Sequence, residues 1–263
     1  MSDIPAEDEL ESSRAPLIEH LIELRRRLLY SVVGFVIMFG ICLFWADEIY
    51  AFLVHPLAEA MAGHPGRRLI FTGLTEALFT QIKVAFFAAS MLSFPIVAGQ
   101  LWLFVAPGLY KNERHAFLPF LVATPILFML GAAMAYYIVF PVAWPFFLGF
   151  EMNAEQTGGL PIQFEGKVNE YLAIVMKLIF AFGLSFLVPV GLTLLGRVGI
   201  ISSDWLRDKR KYAIVFIFIV AAVLTPPDPI TQSILAIPIC LLYEASIWLI
   251  RIWEKKRDRD AEI

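Results

Sequence analysis

Two stretches of this 263-residue chain carry side chains that could act together. The first is PLIEHLIELRRRLL, starting at Pro16. On a helical wheel at about 100° per residue it sets Glu19, His20, Glu23, Arg26 and Arg27 opposite Leu17, Leu21, Leu24 and Leu28. The second is QLWLFVAPGLYKNER, starting at Gln100. Here Pro107-Gly108 closes an apolar stretch, and Asn112 and Glu113 precede the next one. Both stretches offer carboxylates, and Glu113 is available to a cationic partner. Each also has a structural reading. Pro16 suits a helix start, and Glu19, Glu23 and Arg27 form an i, i+4 ladder on an interfacial helix. Asn112 would cap a helix, with Glu113 favourably placed in its first turn. No Cys/His spacing fits a metal site, and Cys42 and Cys240 lie in apolar runs as small hydrophobes. No paired Asp, Ser–His pair or HExxH helix stands in an apolar stretch, which argues against an intramembrane enzyme.

The elements that hold these stretches are set by hydrophobic runs. The chain is 59% hydrophobic and 17% charged. A soluble domain is about 45–50% apolar and about 25% charged. The composition excludes disorder, a disulfide scaffold and a nucleic-acid module, and leaves a polytopic helical membrane protein. Uncharged runs cover Leu28–Ala46, Val84–Tyr110, Ala116–Phe150, Leu178–Gly196, Tyr212–Pro227 and Pro229–Tyr243. The second extends back to Ala77 across Lys83, and the last extends to Ile250 past Glu244. The third is 35 residues long, with prolines at 119, 125, 141 and 145, and no charged turn to reverse it. It reads as one proline-bent helix. The expected architecture is all-α, with six transmembrane helices and short fifth and sixth spans. Of 21 basic residues, 16 fall on the side holding both termini, so the positive-inside rule predicts N-in and C-in. Residues 1–15 then form an acidic cytoplasmic tail, 16–250 the membrane domain, and 251–263 a charged cytoplasmic tail. The first span is too long for a signal h-region and reads as uncleaved.

The segments PLIEHLIELRRRLL, QLWLFVAPGLYKNER and the late TPPDPITQ together resemble the TatC family, the multispanning core of the twin-arginine (Sec-independent) protein translocase. TEALFTQIK (75–83) and AFGLSFLVPV (181–190) are similar to family segments as well. The resemblance covers nearly the whole chain apart from the first 15 residues and about the last dozen. It implies a receptor in the cell inner membrane for folded proteins bearing an S/T-R-R signal. Such a receptor recruits single-span TatA and TatB partners, self-associates in a multimeric complex, and is driven by the proton-motive force. It implies no enzyme activity, no cofactor, no metal and no nucleic acid. The family's signal site maps onto Glu23 and Glu113, with His20, Arg25, Gln100, Phe104, Tyr110 and Lys111 nearby. Its outer-loop proline maps onto Pro56, its loop proline onto Pro107, and its partner-helix segment onto Thr225, Asp228 and Gln232. Relatives often carry Glu or Gln where this chain has Leu187, which puts any buried carboxylate there in doubt.

The chemistry suits the residue types. Guanidinium forks pair bidentately with carboxylates, which an ammonium cannot do. Two adjacent arginines need two acceptors from two elements, and Phe104 can pack against the apolar part of a signal. The alternative is a proton- or ion-coupled transporter of small solutes, which would use Glu76, Lys83, Lys177 and Glu244. All four lie towards span ends.

Overall fold

A computed structural model describes residues 6–62, 67–109, 114–152, 158–160, 163–225 and 228–261; the side chains of 6–17, 19, 105–109, 114–118, 258, 260 and 261 lie outside that description. The order is α1 (Ala6–Phe44), α2 (Ala46–Ala60), β1 (Leu69–Ile70), α3 (Glu76–Leu109) and α4 (Arg114–Met134). A π-helical segment (Ala135–Val139) then leads into α5 (Phe140–Leu148) and β2 (Gly166–Lys167). The chain continues with α6 (Val168–Ser185), α7 (Val188–Arg197), α8 (Ser203–Asp208), α9 (Arg210–Leu224) and α10 (Pro229–Ala261).

Among the described residues, five helical stretches are long and apolar enough to cross a membrane: His20–Phe44, Glu76–Phe104, Pro119–Leu148, Val168–Arg197 and Pro229–Arg257. The expected fifth span corresponds to α9, whose 15 residues reach only about 22 Å, so it is not one of the five. Three boundaries differ from expectation. Helix α1 is helical from Ala6, which puts Pro16 inside it rather than at its start. Helix α3 continues past Pro107-Gly108 to Leu109. The fourth span begins at Val168 rather than Leu178, because the polar groups of its first turns find partners: Lys83 Nζ donates to Asn169 Oδ1 at 2.8 Å.

The proline-rich third run is a single helix, as its uncharged length predicts. Its departure from α geometry sits just before Pro141, where the Phe140 N–H reaches back five residues to the Ala135 carbonyl. Pro141 offers no N–H and crowds the carbonyl four residues earlier, which favours a widened turn there.

Water does not drive helices together inside a bilayer, so close packing has to do so. Helices α4 and α6 approach until Gly131 lies against the Phe182 backbone and Gly183 against the Phe128 ring. Phe128 also stacks on Phe94 of α3 at 3.7 Å between centroids. Phe128, Phe140 and Phe182 are fully buried at this centre. On the other flank, α1 meets α3 through Cys42, Ala85 and Ala89, all buried and small.

Residues 47–75, between the first two uncharged runs, are expected to form an outside loop; α2 occupies the first part of that stretch. Pro56 lies inside it and is buried. With no N–H, Pro56 leaves the Phe52 carbonyl without its helical donor. The Tyr136 hydroxyl fills that role at 2.7 Å, and the Tyr171 hydroxyl donates to the next carbonyl, Leu53, at 2.9 Å. Phe52 and Tyr136 rings stack at 4.3 Å. The proline therefore docks α2 onto the third and fourth spans. Tyr136→Phe should destabilise the protein by about 1–3 kcal/mol, because it orphans a buried acceptor. Thermal unfolding in detergent reads this, and an unchanged midpoint would refute it.

At the same end of the bundle, Arg67 pairs with Glu151, whose other oxygen accepts the Phe164 N–H at 2.9 Å. Strands β1 and β2 pair in parallel beside them, Leu69 with Gly166 and Ile70 with Lys167. At the opposite end, Ser203 donates twice to Glu254, and the Tyr243 hydroxyl donates to the Leu206 carbonyl at 2.8 Å.

Candidate functional site

Part of the polar face of α1 meets α3, and its leucines point out. Leu21, Leu24 and Leu28 are 63%, 41% and 61% exposed. His20 and the Glu23–Arg27 pair meet α3 instead. In a bilayer the solvent for an outer face is hydrocarbon, so leucine belongs outside and polar groups gain by pairing within.

Four of the candidate residues come together here from two segments about 80 positions apart. The His20 imidazole stacks on the Phe104 ring, 4.2 Å between centroids and 22° from parallel. Two turns further along α1 and one turn back along α3, Arg27 donates to Gln100 Oε1 at 3.3 Å. Arg27 also donates to Glu23 Oε1 through Nε at 3.2 Å and Nη2 at 2.8 Å. The i, i+4 ladder thus forms between Glu23 and Arg27; the Glu19 side chain lies outside the described residues. The Glu23 and Arg27 side chains are 27% and 19% exposed, so this pair is half-buried rather than a solvated surface contact. Both bonds fall on Oε1. Oε2 is therefore the oxygen that a second guanidinium would take, and the fork geometry of a carboxylate accommodates two donors. Arg25 stands exposed on the same helix.

Tyr110, Lys111 and Glu113 lie outside the described residues. Pro107 is within α3, its side chain likewise outside. The Gln100–Phe104 turn sits directly ahead of that loop on the same helix. Its orientation is fixed by Trp102, whose Nε1 donates to Thr124 Oγ1 at 2.8 Å, tying α3 to α4.

The remaining candidates are structural in their contacts and far from this pocket in the chain. Pro56 docks α2 as described. Asp228 caps α10: Oδ1 accepts the Thr231 N–H at 2.7 Å, and Oδ2 accepts the Thr231 hydroxyl. Thr225 is buried and bonds its hydroxyl to the Ala221 carbonyl at 2.9 Å. Gln232 Nε2 donates to the Phe218 carbonyl at 3.0 Å. Gln232 thus ties α10 to α9, while Thr225 closes the end of α9 on itself. Leu187 is partly buried against the central core.

Sequence reasoning assigned no partner to several polar groups. Arg67–Glu151, Arg210–Glu244 and Lys177 with the Val223 carbonyl all bridge segments distant in sequence, which no local spacing reveals. The four ionisable groups that a coupled transporter would use each have a hydrogen-bond partner. Glu76 accepts from Thr72 and Gly73, Lys83 donates to Asn169, Lys177 to Val223, and Glu244 accepts from Arg210 at 2.6 Å. Glu76 and Lys83 share α3, Lys177 lies on α6 and Glu244 on α10. No group of three His, Cys, Asp or Glu side chains among the described residues could hold a metal ion.

A family model for Sec-independent protein translocase protein (TatC) matches residues 19–238. The Sec-independent protein translocase protein TatC of Magnetococcus marinus is 51% identical over 244 residues, covering 93% of this chain and 87% of the relative. That of Escherichia coli K12 is 40% identical over 246 residues, covering 93% and 92%. A crystal structure of a twin arginine translocase receptor, TatC, in DDM superposes with a TM-score of 0.74 at 38% identity, covering 88% of this chain and 98% of that chain.

Proposed function

Because the chain belongs to the TatC family and is a multi-pass component of the twin-arginine protein translocase, we propose that it binds the paired arginines of a signal peptide between Glu23 and Glu113. The observation that carries this reading is the docking of His20, Glu23 and Arg27 onto Gln100 and Phe104. It brings the two motif segments together and leaves a half-buried carboxylate with one oxygen uncommitted. Phe104 and His20 offer a flat surface for the apolar residues that follow the arginines. Glu113 supplies the second acceptor from the loop after α3, with Arg25, Tyr110 and Lys111 around it.

In this reading six helices cross the inner membrane, with α9 as a short fifth span and both termini in the cytoplasm. TatA- and TatB-type single-span subunits pack against the α9–α10 hairpin, around Thr225 and Gln232, and the complex holds several copies of this chain. Pro56 and Asp228 keep the opposite end in shape.

The test is photo-crosslinking from positions 23, 104 and 113 to an Arg-Arg signal peptide, with the purified full chain in nanodiscs. Crosslinks at all three, lost with a Lys-Lys peptide, support the site. Crosslinks confined to the α2 end of the bundle would refute it. Topology has its own measurement. Single cysteines at Ala60 and Lys209, in a chain with Cys42 and Cys240 replaced, should label from outside and inside respectively. Labelling of both from one side would overturn the arrangement.

A further inference from the structure

Lys177 is the only charged residue between Glu170 and Arg197. It is exposed, on a face of α6 whose other exposed residues include Ile174, Phe180 and Leu184. It lies nine residues past Val168, about 14 Å along the helix from its start. Its Nζ donates to the Val223 carbonyl at 3.0 Å. Val223 is the penultimate residue of α9 and is 70% exposed. The tip of the α9–α10 hairpin therefore stands beside the tenth residue of α6, well short of that helix's beginning. The hydrocarbon core is about 30 Å thick, and α9 spans only about 22 Å.

These facts coincide at one place. An ammonium at membrane depth demands an anionic or hydrated neighbour. Lysines usually meet that demand by reaching out along their own helix towards the interface. Here the side chain is held instead against a neighbouring helix end, at the level where the hairpin runs out. The carbonyl takes one of three N–H donors. A helix too short for the bilayer draws the headgroup layer in towards its end. The anionic members of that layer are phosphates, which a compact lysine ammonium binds as a point charge.

We infer that Lys177 binds the phosphate of an outer-leaflet phospholipid, drawn down to the tip of the α9–α10 hairpin. The lysine fixes the depth of the headgroup layer there, and the thinned patch of bilayer has a defined edge on α6. This rests on the six-span reading above, in which α9 crosses the membrane.

The experiment uses the full chain in nanodiscs of dioleoylphosphatidylglycerol, with a nitroxide on Val223→Cys. Collision with a water-soluble nickel chelate reports headgroup depth, and native mass spectrometry counts retained lipid. With Lys177 present, the label should collide as at the interface, and one phospholipid should stay bound. Lys177→Leu should reduce the collision rate several-fold and lose that lipid; Lys177→Arg should keep both. Equal collision and lipid retention in Lys177→Leu overturns the inference. So does loss of a co-purified single-span subunit in Lys177→Leu with lipid unchanged, which would assign the lysine to a partner carboxylate. In discs of a phosphate-free glycolipid, added inorganic phosphate should not restore the collision rate, and restoration would overturn the assignment to lipid. Thiol labelling of Val223→Cys from the cytoplasmic side alone would instead show that the six-span reading has failed.

Discussion

Replacing Glu23 and Glu113 together with alanine should abolish discrimination between Arg-Arg and Lys-Lys signals while leaving protein abundance near normal. Exposed ion pairs contribute about 0.2–1 kcal/mol. Charge-assisted hydrogen bonds reach about 1.5–3 kcal/mol. Each single Glu→Ala change should therefore weaken Arg-Arg binding by roughly threefold to a hundredfold. Glu→Lys should be worse, since it adds repulsion, and wild-type binding should fall with added salt. Arg27 gives the reading a second edge. It holds Glu23 Oε1 through two N–H groups, so it competes with any incoming guanidinium for the same carboxylate. Arg27→Gln should hold or tighten signal binding, although it breaks an internal ion pair. If the pair serves only to join α1 to α3, the opposite pattern follows: both Glu23→Ala and Arg27→Gln lower abundance, and the surviving protein still prefers Arg-Arg. Binding isotherms for both peptides, on protein normalised for folded fraction, decide between them.

Gly131→Val should nearly eliminate folded protein. A Cβ at Gly131 would sit 2.4 Å from the Phe182 carbonyl oxygen and 2.9 Å from its carbon, both backbone atoms that cannot turn aside. Relief requires α4 and α6 to move apart at this contact. That would also unseat Phe128, which fills the space over Gly183 and stacks on Phe94. Overpacking of this kind costs about 1–3 kcal/mol and occasionally more, so alanine should destabilise measurably and the larger valine more. Gly40→Ala is the control, because nothing stands within 4 Å of its would-be Cβ. Thermal aggregation temperatures in detergent should rank wild type and Gly40→Ala together, then Gly131→Ala, then Gly131→Val. A Gly131→Val protein as stable as Gly40→Ala would show that the two helices are not held at this contact.

Much of the architecture was legible because a bilayer imposes simple demands. Long uncharged runs had to be spans, and a 35-residue run without a charged turn had to be one helix. The family segments located the His20, Glu23, Gln100 and Phe104 neighbourhood before any geometry. What stayed hidden depends on contacts between distant segments. Residues 47–60 fall between two uncharged runs and read as loop; Tyr136 and Tyr171 supply the donors that accommodate a proline-containing helix there. The widened turn at 135–139 has no composition of its own; it follows from the proline beyond it. The wheel of α1 correctly separated two faces but left open which one packs. The depth of Lys177 relative to the hairpin could not be read at all, because it depends on where one helix ends beside another.

The strand pair and the Arg67–Glu151 bridge also set an order of events during synthesis. Leu69 and Ile70 wait for Gly166 and Lys167, roughly 100 residues later in the chain. Arg67 likewise waits for Glu151. At about 5–20 residues per second, the early segment stays without its mate for about 5–20 s. In that interval the second and third spans must be made and inserted before residues 151–167 arrive on the same side of the membrane. This closure is therefore among the later steps of biogenesis, and it joins the first half of the polypeptide to the second only once both have been threaded. A defect here would surface as nascent chains with correctly inserted spans and an open, protease-sensitive face. Quality control would then meet a well-inserted chain that lacks its clasp.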